Sequence, residues 1–81
     1  MVPVKQELDA RRLLCPLPVI RVQDRVREMK EGELLEVYCT DPGAASDIPA
    51  WCRINGHRVL ELEEREGELR ILIRVGDEAA R

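Results

Sequence analysis

Apolar and polar positions alternate at the start of the chain. Val2, Val4 and Leu8 share one parity; Pro3, Lys5, Glu7 and Asp9 share the other. A period of two predicts a strand with one buried face, followed by a connector over residues 10 to 14. The period then changes. Val19, Val22, Val26 and Met29 recur at spacings of three, four and three, the stripe of a helix running from Pro16 to about residue 31. Gly32 stands where such a helix would be capped. Leu35, Val37 and Cys39 alternate with Glu36, Tyr38 and Thr40 as a second strand, which Asp41-Pro42-Gly43 breaks.

A shorter helix is predicted over about residues 46 to 55, ending at Gly56, with Ser46 or Asp47 as its cap so that Pro49 stays near its start. Two further strands, about 58 to 64 and 68 to 75, flank a hairpin-like turn at Arg65-Glu66-Gly67. Leu69, Ile71, Ile73 and Val75 share a face; Arg70 and Arg74 point the other way, toward Glu61 and Glu63. The order is βαβαββ. The intervening helix makes the first two strands parallel, with a right-handed crossover, and the last two are antiparallel. The expected fold is an α/β two-layer sandwich, a mixed four-stranded sheet with both helices on one face. Its 81 residues suffice for one small domain, residues 1 to 81, with no linker or repeat.

Composition narrows the function. Sixteen acids against thirteen Lys and Arg give a net charge of −3, which disfavours direct nucleic-acid binding and a polybasic membrane anchor. Tyr38 and Trp51 are the only aromatic residues, too few for a base-stacking platform. No apolar run approaches the roughly 18 residues of a membrane span, and the N-terminus lacks the order of a signal peptide. Three cysteines, an odd number, suit a cytoplasmic protein better than a disulfide framework.

Cys15 carries the strongest chemical signal. Pro16 and Pro18 both suit a first helical turn, where amides have no carbonyl partner. Cys15 then lies at or beside the helix cap, where the dipole and free amides stabilise a thiolate. A thiol pKa at such a site falls from ~8.5 toward neutrality. The two prolines remove donors and limit that gain; Arg11 and Arg12 would add to it by curling back. The opposing reading is a buried cysteine that fills space. Leu17 and Ile20 lie off the core stripe, one turn from the thiol, as a docking patch would. Arg27 is its candidate steering charge. Asp41 is either a plain turn-former or a shaper of the same surface. Cys39 and Cys52 fall on buried faces and read as core. Cys15, Cys39, Cys52 and His57 lack the Cys-x-x-Cys pairing of a strong zinc signal, and no metal site is assigned. A haem-regulatory Cys-Pro is disfavoured by the second proline. His57, after Gly56, reads as a turn or strand-entry residue.

Several blocks in order carry a resemblance across about Leu8 to Val75. Leu8-Asp9-Ala10, Cys15-Pro16-Leu17-Pro18-Val19, Gly32-Glu33-x-Leu35, Thr40-Asp41-Pro42, Asp47-Ile48-Pro49 with Trp51-Cys52, and Gly56-His57 resemble the TusA/SirA-like sulfur-carrier family of Cys-Pro-x-Pro proteins. The resemblance implies the same βαβαββ sandwich and a persulfide held on Cys15, with no other cofactor. It implies a cysteine desulfurase or rhodanese as donor and an acceptor such as a DsrE-like protein. The destinations it implies are tRNA thiolation, molybdenum-cofactor assembly or sulfur-oxidation trafficking. Leu17 stands where close relatives often carry an acid, which leaves the partner's identity open. Such a sulfurtransferase is a relay that needs no substrate pocket of its own. The alternative is a non-catalytic interaction or regulatory module in which Cys15 is a structural helix cap; fast alkylation of Cys15 at pH 7 would favour the carrier.

Overall fold

The structure, a computed structural model, describes residues 5–76. Its elements are β1 (Lys5–Ala10), α1 (Leu17–Val26), β2 (Leu34–Cys39), α2 (Ala44–Asn55), β3 (Arg58–Arg65) and β4 (Glu68–Arg74). The sheet order is β1-β2-β4-β3. β1 and β2 are parallel, and β4 pairs antiparallel with both β2 and β3. This is the expected βαβαββ sandwich with a mixed sheet. Val2, Pro3 and Val4, read as part of the first strand, lie outside the described residues. Ala10, assigned to the connector, instead ends β1 and is fully buried, because the alternation begun at Leu8 continues one step further.

Leu35, Val37 and Cys39 from β2 and Leu69, Ile71 and Ile73 from β4 form the buried face of the two central strands. Val22 and Val26 of α1 and Ala44, Ile48 and Cys52 of α2 cover it. β3 is an edge strand, with Leu60 and Leu62 exposed. Its hairpin to β4 turns through Glu66 and Gly67, both at positive φ (53° and 81°), the two-residue geometry that matches strand twist. Among the described residues, no helix is long and apolar enough to cross a membrane.

Both helices depart from their expected bounds. α1 ends at Val26, not near residue 31. Beyond it the N–H groups of Glu28 and Met29 bond the carbonyls of Arg25 and Val26, at 3.0 Å each. Such a tight turn keeps the spacing of three, so Met29 still packs against the core without being helical. Gly32 (φ 91°) therefore caps no helix; its N–H reaches the Val75 carbonyl at 2.8 Å in the approach to β2. α2 begins at Ala44, with Gly43 rather than Ser46 or Asp47 at its cap. The Asp41 side chain accepts the Gly43 N–H and the Asp41 carbonyl that of Ala44, both at 3.0 Å, which starts the helix early. Pro49 then falls inside it. The left-handed Gly56 (φ 78°) ends α2 as expected.

Gly76 follows β4 with φ 64° and donates its N–H to His57 Nδ1 at 2.8 Å. A Cβ there would stand 2.8 Å from Glu31 Cγ and 3.4 Å from Glu31 Cα. Gly76→Ala combines a left-handed backbone with that crowding. It is expected to cost about 1–2 kcal/mol, read as a lower urea midpoint at unchanged m-value.

Candidate functional site

The parallel strands β1 and β2 deliver their following loops to the same end of the sheet, and the loops are tied together there. The Arg12 N–H donates to Thr40 Oγ1 at 2.8 Å, and the Cys15 N–H to Asp41 Oδ2 at 2.6 Å. Asp41 Oδ1 takes the Gly43 N–H. Both Asp41 oxygens thus hold the site's own backbone, so its first role is to fix the Cys15 loop against the start of α2. The Gly43 bond is that of the turn-forming reading, and the Cys15 bond adds an anchor for the loop that carries the thiol.

Cys15 joins Pro16 through a cis peptide bond. Pro16 is the cap of α1 and exposed, while Pro18, the second helical residue, is buried in the core. The thiol lies just outside the helix start, part-exposed, with one side against the core. Its sulfur sits close to Gly43: a Cβ added to that glycine would come within 3.3 Å of Sγ.

The thiol is not electrostatically activated in this state, contrary to the expectation of a lowered pKa. Burial, followed by hydrogen bonding to the carboxylates of Asp41 and Asp47 and their charges, pushes it up to about 12. The helix start offers little in return. Pro16 and Pro18 have no N–H, and the Leu17 N–H is taken by the Leu14 carbonyl at 2.9 Å. Arg11 does not curl back. It is held by Asp9 in paired hydrogen bonds of 3.0 and 3.1 Å and also faces Glu68.

Close to Cys15 in the chain, Leu17 and Ile20 are exposed, as the docking-patch reading requires. Leu14 joins them and is the most open of the three, at 73%. It was missed because it lies in a connector without periodicity; an apolar residue next to a reactive thiol was the available signal. Arg27 does not belong to this patch. It follows the last residue of α1, ten residues beyond Leu17, about 15 Å along the axis, where it pairs with Asp24 at 3.8 Å. Asp47, a cap candidate and part of a family-like block in the sequence, lies in the first turn of α2, and its carboxylate bears on the thiol. Cys39 and Cys52 are buried in the core, and burial raises both thiols. His57 stacks on Trp51 at 5.1 Å, at the far end of α2. Among the described residues, no group of three or more His, Cys, Asp and Glu side chains gathers in a metal-holding arrangement.

With this geometry in place, comparisons with known proteins are specific. Residues 6–75 match the family model described as sulfurtransferase TusA. The sulfur carrier protein TusA of Allochromatium vinosum is 38% identical over 74 residues, covering 91% of this chain and 97% of that protein. YrkF of Bacillus subtilis is 39% identical over 71 residues, which are 88% of this chain but 38% of that longer protein. The crystal structure of a SirA-like protein from Desulfitobacterium hafniense superposes with a TM-score of 0.77 at 23% identity, covering 88% of this chain and 97% of that one. That last likeness concerns the fold.

Proposed function

The chain belongs to the TusA sulfurtransferase family, and from that premise we propose that it is a sulfur carrier whose Cys15 holds sulfur as a persulfide between a donor and an acceptor protein. One observation carries the assignment to this residue. Of the three thiols, Cys39 and Cys52 are enclosed in the core, whereas Cys15 is part-exposed, with the exposed apolar residues Leu14, Leu17 and Ile20 near it in the chain. A relay must present one atom to two partners in turn, and Cys15 is the thiol both can reach.

The transfer balances without an external oxidant. The Cys15 sulfur bonds the outer sulfur of a donor persulfide, and the donor's S–S bond breaks. The proton of Cys15 passes to the departing sulfur, so that Cys15–SH and R–S–SH become Cys15–S–SH and R–SH. Delivery to an acceptor thiol repeats the step in the other direction. A cysteine desulfurase or a rhodanese is the donor class, and a DsrE-like protein the acceptor class. The exposed Leu14, Leu17 and Ile20 supply contact area for docking, and the relay operates in the cytoplasm.

One observation favours the alternative of an interaction module with a structural Cys15: the thiol is held protonated and packs partly on the core. Intact-protein mass after incubation with a cysteine desulfurase and cysteine, or with a rhodanese and thiosulfate, separates the two. The carrier gains one sulfur atom that reductant removes; no gain with either donor favours the interaction module.

A further inference from the structure

Resting on the carrier reading, and extending it to how the site is controlled, we infer that Asp41 and Asp47 are positioning residues that hold Cys15 as S–H until a cationic group on a docked partner engages them. The two carboxylates come from separate places, Asp41 from the loop after β2 and Asp47 from the first turn of α2. They converge on one sulfur through three local constraints. Asp41 Oδ2 grips the Cys15 N–H at 2.6 Å, which brings the thiol beside the same carboxylate. The Asp47 N–H bonds the Gly43 carbonyl at 3.0 Å, which sets the helical turn that carries its side chain. Gly43, without a side chain, lets the sulfur approach that turn. Both carboxylates bear on the thiol, Asp41 from beside the Cys15 N–H and Asp47 from one turn of α2 beyond Gly43.

The remaining charges near the site do not offset this pair. On the cysteine's own loop, Arg11 is bound to Asp9 and Glu68, and the charge of Arg12 acts on Asp9. The first turn of α1, Leu17 to Ile20, carries no charged residue at all. A thiolate formed here would face two carboxylates, and like charges at close range disfavour ionisation. Attack on a donor persulfide nevertheless requires thiolate character. The missing positive charge must therefore arrive with the donor. A lysine or arginine set beside Asp41 and Asp47 on docking would neutralise them and free the sulfur where the persulfide already waits. The undocked carrier is correspondingly inert toward small electrophiles, so slow alkylation at pH 7 does not count against the carrier, contrary to the expectation from sequence, and sulfur loading decides that reading.

The test is the pH profile of iodoacetamide alkylation at Cys15, resolved by peptide mass, for the wild type, Asp47→Asn and Asp41→Asn. Asparagine keeps the shape and removes the charge. Asp47→Asn is expected to move the profile at least one pH unit lower and to speed alkylation at pH 7 at least tenfold. Asp41→Asn should move it the same way; because that change also touches the loop anchor, Asp47→Asn decides the point if the other variant fails to fold. Superimposable profiles for wild type and folded Asp47→Asn would overturn the carboxylate guard. Loading from a cysteine desulfurase tests the cation: its rate should fall with added salt more steeply in the wild type than in Asp47→Asn, and equal salt dependence would overturn that half. If the wild type takes no sulfur from either donor class, the carrier reading and the docking half fail together, while the alkylation profiles still decide the guard.

Discussion

Cys15→Ala is expected to take up no sulfur from any donor while remaining folded. The substitution removes one part-exposed sulfur atom. It leaves the backbone N–H that Asp41 holds and the prolines that start α1. Its stability should lie within about 1 kcal/mol of the wild type, the scale of losing one partly packed group. Cys39→Ala and Cys52→Ala should behave the opposite way. Each opens space in a core whose cysteines are 0% and 1% exposed, at a cost of about 1–2 kcal/mol, yet each should still load fully. Intact-protein mass before and after reductant, with urea unfolding of the same samples, checks both properties. A folded Cys52→Ala protein that failed to load would end the single-thiol mechanism, since a second sulfur would then be needed to receive or resolve the persulfide.

Much of the fold was legible because the buried faces are simple. Leu35, Val37 and Cys39 on one strand and Leu69, Ile71 and Ile73 on another leave one arrangement that covers them, and the helix between β1 and β2 makes those strands parallel. The order β1-β2-β4-β3 was not legible. It depends on which neighbour of β2 receives β4, and alternation within a strand says nothing of pairing between strands. Helix ends failed where a turn imitates helical spacing, as at Met29, and where a side chain starts a helix early, as Asp41 does at Gly43.

The site was legible in its residue and less so in its electrostatics. Cys15 stood out through its prolines, and the exposed Leu17 and Ile20 through their place off the core stripe. The sign of the effect on the thiol was not recoverable, because it depends on Asp47. That residue is 32 positions away in sequence and meets the sulfur only through the second loop. The helix-start argument for a thiolate also assumed free amides, whereas Leu14 occupies the one N–H that the prolines leave among residues 16 to 18. Distant loops brought together by parallel strands are where local reasoning loses its reach.

Arg70→Met should produce the largest loss of stability of the substitutions considered, for a reason that lies on the sheet face away from the helices. Glu36 is 5% exposed there and keeps its charge through Arg70 Nη1, the Tyr38 hydroxyl and Lys5 Nζ. Arg70 also reaches Glu61 at 2.6 Å and Glu63 at 3.4 Å, as its place on β4 suggested, whereas Arg74 lies opposite Arg58. Methionine would keep much of the apolar stem and remove the charge, leaving a buried carboxylate with Tyr38 and Lys5 alone. Breaking a buried ion pair costs about 3–5 kcal/mol, and the surviving partners put this case at the low end, about 3 kcal/mol. A domain of this size holds roughly 4–12 kcal/mol in total, so the urea midpoint should fall sharply. Removing both charges in Glu36→Gln with Arg70→Met should cost less than Arg70→Met alone.

The pH dependence supplies the sign. The Tyr38 hydrogen bond, then those of Arg70 and Lys5, hold the Glu36 carboxyl below its ordinary 4.5 against the opposing effect of burial. A carboxyl lowered by folding contributes stability that is fully present above its unfolded value and is lost as pH falls through the folded one. The gap between wild type and Arg70→Met should therefore be constant from pH 6 to 7 and should close below 4.5. A gap under about 1 kcal/mol at neutral pH, or one that persists undiminished in acid, would show that Arg70 supports the sheet by packing rather than by charge.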